Sequence, residues 1–202
     1  PEIIDFRERM QINGCMIPEE ELCRLTETVK PAVEKLNGRG IFPTQFEVVT
    51  AAAFLWVAEN MGDIAVLETG LGGRYDATNI ISSPLVCALT SVSMDHVAIL
   101  GDSLEQIAFE KCGIIKQGAS VVSVSSQPEE VKNVIAQTAL AHKCCVTYSD
   151  PKTIFSIQKE KITGTAVLFE GETVTIPFVG RHQLENAANA IEICRSLCAN
   201  GF

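Results

Sequence analysis

The residues best able to do chemistry gather in Glu68-Thr-Gly-Leu-Gly-Gly-Arg-Tyr-Asp-Ala-Thr-Asn79. Glu68 closes a short apolar run, Asp63-Ile-Ala-Val-Leu-Glu68. A carboxylate at the carboxyl end of a buried strand points into the crevice where open α/β sheets bind ligands. There it can hold Mg2+, directly or through water, beside a nucleotide. Glycines behind it permit positive φ and close backbone approach to a ligand. The plain alternative is a strand ending in a polar turn, but Gly70, Gly72, Gly73, Arg74, Asp76 and Asn79 following the acid favour a ligand site. Ser93-Met-Asp-His96 stands just past a second apolar run, which sets His96 at the same sheet edge as Glu68. A neutral imidazole there can ligate a metal, or it can be a hydrogen-bonded structural residue. Lys111 falls on an apolar helical stripe with Ile107 and Ile114. Such a lysine commonly snorkels to the surface. Alternatively it is held at the site: partial burial of a lysine lowers its pKa in general, and a neutral amine can add CO2 to form a carbamate, an oxygen donor for a metal. Asn186, in His182-Gln-Leu-Glu-Asn186, can donate to and accept from an adenine edge or a phosphate, and is equally an ordinary polar residue of an early helical turn.

Two fingerprints are missing. The G-x-G-G of the glycine cluster lacks the spacing of a dinucleotide-binding loop, and an acid precedes it. No G-x-x-x-x-G-K-[ST] string is present to cradle a triphosphate. The eight cysteines form no C-x-x-C pair, so neither a zinc ribbon nor a thioredoxin motif is encoded. They read as free, buried thiols of a reducing cytoplasm.

The elements that must position these residues alternate. Pro18 to Leu36 carries Leu22, Leu25, Val29 and Val33 at helical spacing behind an acidic first turn, and Phe46 to Met61 is a second apolar helix. Asp63 to Glu68 reads as a buried parallel strand, because it is apolar throughout instead of alternating. Strands are predicted at Leu85 to Val92, Ser120 to Ser125 and Cys145 to Ser149. The intervening helices are predicted at Ser103 to Ile115, with a capping box from Ser103 and Gln106, and at Pro128 to His142. Phe155 to Phe178 alternates apolar and polar residues around Thr163-Gly164 and Glu170-Gly171, as a small antiparallel meander does, and Arg181 to Leu197 returns to helix. The fold class is α/β: a three-layer, mostly parallel sheet with helices on both faces, plus the meander.

The chain has 202 residues, of which 47% are hydrophobic and 20% charged, enough for a substantial core. With 25 acidic against 16 basic residues its net charge is −9, which disfavours a general binder of nucleic-acid backbones. ATP is not excluded, since its phosphates need only a few local donors and a metal. No apolar run reaches transmembrane length, and no charged-then-apolar signal segment opens the chain.

Taken together, these clusters resemble the folylpolyglutamate synthase and dihydrofolate synthase family of the Mur ligase superfamily, over nearly the whole chain. Phe6-Arg-Glu-Arg-Met-Gln-Ile-Asn-Gly14 is similar to the segment after that family's phosphate loop and first helix, and Thr44-Gln-Phe-Glu47 to its T-x-F-E helix start. ETGLGGRYDATN resembles its E-V-G-L-G-G-R-x-D-A-T-N. SMDHVAILGDSLEQIAFEKCGIIK resembles its D-H-x-x-x-L-G segment with the following E-K-x-G-I helix, and HQLENAANAI its HQ-x-x-N-A helix. The resemblance implies Glu68 and His96 as Mg2+ ligands, Lys111 as the carbamylated lysine and Asn186 as an ATP contact. It implies ATP-dependent phosphorylation of a folate carboxylate, followed by attack of the L-glutamate amine on the acyl phosphate. Folate or dihydropteroate, L-glutamate and ATP are then the partners of a monomeric, cytoplasmic enzyme. The family's T-N-G-K-G-S loop and S-P serine are expected upstream of Pro1, and its C-terminal domain, with a D-G-A-H-N motif, beyond Phe202. Residues 1–202 are accordingly expected to be the ATP-binding domain without its phosphate loop, and inactive alone. A peptidoglycan-precursor Mur ligase is the nearest rival, and a degenerate, non-catalytic nucleotide-binding domain the rival of another class.

Overall fold

The computed structural model describes residues 2–202 and divides into two compact units, Pro1–Gly70 and Leu71–Phe202. In the first unit Asp5 caps a 3-10 turn over Phe6–Arg9. A hairpin follows, with β1 (Gln11–Ile12) antiparallel to β2 (Cys15–Met16). Two helices complete the unit: α1 (Glu19–Asn37) and α2 (Gln45–Glu59). The start of α2 is fixed chemically. Thr44 Oγ1 accepts the Glu47 N–H at 3.2 Å, and the Glu47 carboxylate accepts the Thr44 N–H at 2.7 Å. This reciprocal cap satisfies two otherwise orphaned donors. Met10, Ile17, Leu25, Val29, Ala52 and Trp56 form the core of the unit, and Arg24 of α1 forms an ion pair with Glu59 of α2.

The segment 63–68 departs from the expected buried strand. It belongs to none of the three sheets among the described residues, and Val66 is 93% exposed. An apolar run becomes a strand only where a neighbour about 4.8 Å away supplies hydrogen bonds and cover, and no described strand does so here.

The second unit carries the parallel sheet, in the order β3 (Val86–Leu89), β4 (Ser120–Val124), β5 (Val146–Ser149). Its connections hold α3 (Val97–Leu100), α4 (Leu104–Lys111) and α5 (Glu129–Ala141). After the short α6 (Pro151–Ile154) come the antiparallel β6 (Ser156–Lys161), β7 (Gly164–Phe169) and β8 (Glu172–Ile176), then α7 (Arg181–Ala199). Cys87, Leu89 and Val121 pack with Ile107, Ala108, Val131 and Ile135, so α4 and α5 cover one face of the sheet. α7 covers the other, where Ser149 Oγ donates to Asn189 Oδ1 at 3.1 Å. Phe155 and Val167 join α7 through Leu184 and Ala188. The three layers and the meander are those the sequence predicts.

Two local details differ. The predicted helix from Ser103 to Ile115 stops being α-helical at Lys111 and continues as a 3-10 turn over Cys112–Ile114. Ser103 caps α4 as expected, accepting the Gln106 N–H at 3.3 Å, but the Gln106 side chain accepts the N–H of Asp102 instead of closing the box. Among the cysteines, burial holds for Cys87 and Cys112, whereas Cys15, Cys23, Cys145, Cys194 and Cys198 are exposed.

Candidate functional site

The loop 71–79 is built on the end of α4. Arg74 N donates to the Glu110 carbonyl at 2.9 Å, and Arg74 Nη2 to the Phe109 carbonyl at 3.1 Å. The guanidinium lies over the Phe109 ring with Cζ 3.9 Å from its centroid, a cation–π contact. Arg74 Nε is buried without a hydrogen bond and faces Glu110 Oε1 at 3.5 Å. Asp76 Oδ2 accepts the Leu71 N–H at 2.9 Å, while Oδ1 accepts the Thr78 N–H at 2.9 Å and its hydroxyl at 2.6 Å. Asn79 Nδ2 donates to the carbonyls of Arg74 at 2.9 Å and Gly113 at 3.1 Å. The Arg74, Asp76 and Asn79 side chains thus hold the loop's own shape and its seam with α4.

Gly72 and Gly73 serve the same seam. A Cβ on Gly73 would stand 2.8 Å from the Lys111 carbonyl oxygen, and one on Gly72, whose φ is +64°, 2.8 Å from Leu100 Cδ2. Close backbone approach is therefore real, but it is to α4 and α3. Gly70, the last residue of the first unit, is overlain by the Phe46 ring of α2, 2.7 Å from where its Cβ would be.

Lys111 ends α4 at this seam and is half-buried, with no ion pair among the described residues. Its backbone carbonyl, not its side chain, is what the loop approaches at Gly73. Its neighbour Cys112 is pushed up to about 12, and Cys87 to about 11, in both cases chiefly by burial, so neither thiol is a nucleophile at neutral pH.

His96 sits on an exposed arm between two anchors, Val92 and Leu100, both in the core. It precedes α3 in a left-handed conformation, with φ 49° and ψ 37°. Its N–H donates to Asp95 Oδ1 at 2.8 Å, and Nε2 lies 3.6 Å from Asp95 Oδ2. Asn186 is exposed near the start of α7. Asn200 at the other end of α7 donates to Ser120 Oγ at 3.2 Å. With Asn189 beside Ser149, this runs α7 against the strands and places Asn186 towards their carboxyl ends, where the His96 arm also leaves β3. Glu68 is exposed in the first unit, on the segment 63–68. Among the described residues no three His, Cys, Asp or Glu side chains gather as a metal cluster.

Sequence reasoning passed over Gln127, which is 4% exposed. Its Oε1 accepts the Val92 N–H at 2.9 Å, and its Nε2 donates to the Thr90 carbonyl at 2.7 Å and to Ser123 Oγ at 3.1 Å. The string Ser125-Ser-Gln-Pro128 reads as a turn, and its only signal was a long amide just past a buried strand. Glu110 was also missed, although it adjoins Lys111 and faces Arg74.

The Mur ligase middle domain family matches residues 21–194. The chain belongs to that family. It is 38% identical over 200 residues to the dihydrofolate synthase/folylpolyglutamate synthase of Bacillus subtilis, covering 95% of this chain and 46% of that protein. The folylpolyglutamate synthase of Thermotoga maritima superposes with a TM-score of 0.83 at 34% identity, over 97% of this chain and 46% of that one. An FPGS–AMPPCP–folate complex superposes with a TM-score of 0.84 at 31% identity, over 97% and 49%. The chain spans about half the length of these relatives. No helix among the described residues is long and apolar enough to cross a membrane.

Proposed function

We propose that this Mur ligase middle domain is the ATP-handling part of a folylpolyglutamate synthase, with or without dihydrofolate synthase activity. The observation that carries the reading is the seam, in which Leu71–Asn79 close backbone-to-backbone on α4 next to the Lys111 backbone. Likeness to an FPGS complexed with AMPPCP and folate supports the choice of substrates.

In this reading a folate carboxylate oxygen attacks the γ-phosphorus of ATP, ADP leaves, and an acyl phosphate forms. The amine of L-glutamate then attacks the acyl carbon, phosphate leaves, and an amide results. Glu68 and His96 are the candidate Mg2+ holders, and each offers an exposed donor that would suit a partly hydrated ion. When bound, Mg2+ supplies neutralisation of phosphate charge. Lys111, as its neutral amine, adds CO2 with loss of a proton, and the resulting carbamate turns a cation into an oxygen donor. Asn186 is assigned to the nucleotide. The domain works with the remaining half of the protein, as a monomer in the cytoplasm on small-molecule substrates without nucleic acid, and its free thiols suit a reducing compartment.

The test is ADP release by the full-length protein that carries this domain, with ATP and Mg2+, as a function of folate and glutamate. Dependence on both substrates, lost in Lys111→Arg and His96→Ala, is expected. Dependence on UDP-muramyl substrates instead would move the protein to the peptidoglycan branch, and no turnover with either set would leave a non-catalytic domain.

A further inference from the structure

Past Leu89 the β3–β4 ladder ends, yet the chain continues through Thr90, Ser91 and Val92 towards His96. In a parallel sheet, a neighbouring strand grips a residue by donating to the carbonyl before it and accepting the N–H after it. The Gln127 carboxamide does the same around Ser91, donating to the Thr90 carbonyl at 2.7 Å and accepting the Val92 N–H at 2.9 Å. Its donation to Ser123 Oγ at 3.1 Å ties that amide to the residue of β4 that pairs with Leu89. A side chain therefore stands in for one further peptide of β4. Val92, Ser123 and Gln127 are buried, where an unmade hydrogen bond is costly.

We propose that Gln127 is a positioning residue for His96. It extends the sheet by one mimicked peptide and so sets the direction in which the 91–96 arm leaves the carboxyl end of β3. Val92 and Leu100 bury the two roots of the arm. Apolar burial alone is non-directional, so the orientation of the exposed arm depends on the amide. This proposal rests on the assignment of His96 to a metal site.

The test uses the 202-residue chain with Gln127→Met, which keeps the length and removes both halves of the amide. Amide hydrogen exchange is followed at Val92 and, as internal references, at Val121 and Val122 of β4. The His96 imidazole signals are followed with and without Mn2+. Loss of about tenfold in Val92 protection is expected, with Val121 and Val122 unchanged, His96 resonances shifted or broadened, and Mn2+-induced broadening at His96 weakened. Ser123→Ala, which removes only the anchor, is expected to give a smaller change of the same sign. Unaltered Val92 protection and His96 resonances in Gln127→Met would overturn the proposal. So would an equal loss of protection at Val121 and Val122, which marks a general structural role. Failure of Mn2+ to act on His96 in the unsubstituted chain would sink the metal assignment instead. The metal-free exchange and the His96 resonances would still decide whether the amide directs the arm.

Discussion

Gly113→Ala tests whether the loop–helix seam is as tight as its geometry says. A Cβ on Gly113 would fall on Arg74 Cα and Cβ and stand 2.8 Å from Arg74 N. These are backbone or backbone-rooted atoms, so no flexible tip can swing aside. Overpacking of this kind costs about 1–3 kcal/mol. Displacing the loop also strains two hydrogen bonds, Arg74 N to the Glu110 carbonyl and Asn79 Nδ2 to the Gly113 carbonyl, each worth about 1 kcal/mol. The expected loss is about 2–5 kcal/mol, a large share of the stability of a typical domain. Gly118→Ala is the control. Gly118 has φ +81° and nothing within 4 Å of a Cβ, so alanine there meets only backbone strain of about 1–2 kcal/mol. Urea unfolding followed by far-UV circular dichroism reads both variants, with constant m as the check on comparability. A Gly113→Ala loss no larger than that of Gly118→Ala would refute the reasoning.

Removing Asp76 (Asp76→Ala) takes away the acceptor of three hydrogen bonds that shape the loop and should cost about 2–4 kcal/mol in the same assay. Asp5 should titrate at about 2, below its ordinary 3.8, because the Arg7 guanidinium hydrogen-bonds its carboxylate and the Arg7 N–H adds to the effect. Its contribution to the N-terminal turn is then complete above about pH 3.8 and lost as pH falls through about 2, which NMR titration of the Asp5 carboxyl and Arg7 amide would show; an inflection near 3.8 would contradict it. A thiol reagent at neutral pH should label Cys15, Cys23, Cys145, Cys194 and Cys198 rapidly in the folded chain, and Cys87 and Cys112 only on unfolding, as peptide mapping would establish.

What was legible in the sequence follows from period and punctuation. β4 and β5 were readable because apolar runs stood between helices with clear 3.6-residue stripes, such as Val131, Ile135 and Ala139 in α5, all buried. The meander was readable from its glycine turns, and both turn glycines, Gly164 and Gly171, have positive φ. The run Asp63 to Glu68 was misread because apolarity reports a wish for burial, whereas a strand also needs a paired edge. Gln127 was invisible for a related reason. Its role depends on a hydrogen bond to Val92, 35 residues away in sequence, and no local pattern records such a partner.

The glycine-rich string gives the sharpest distinction between holding a site and being one. Sequence chemistry assigns Gly70 to Asn79 to ligand approach, yet Asn79 donates both of its hydrogen bonds within the protein, to Arg74 and Gly113, and bridges the loop to the turn beyond Lys111. Loss of activity in Asn79→Ala would therefore not identify a ligand, since misplacing Lys111 has the same outcome. Stability separates the cases. Asn79→Ala should lower unfolding free energy by about 1–3 kcal/mol together with activity, because two carbonyls lose their donor. Glu68→Ala and His96→Ala remove exposed side chains and should change unfolding by no more than about 0.5 kcal/mol, while, if the proposed function holds, abolishing Mg2+-dependent ADP release by the full-length protein. Paired denaturation and turnover measurements on the three variants make the check. If Glu68→Ala or His96→Ala destabilised the protein as Asn79→Ala does, those residues would belong to the frame and not to the metal.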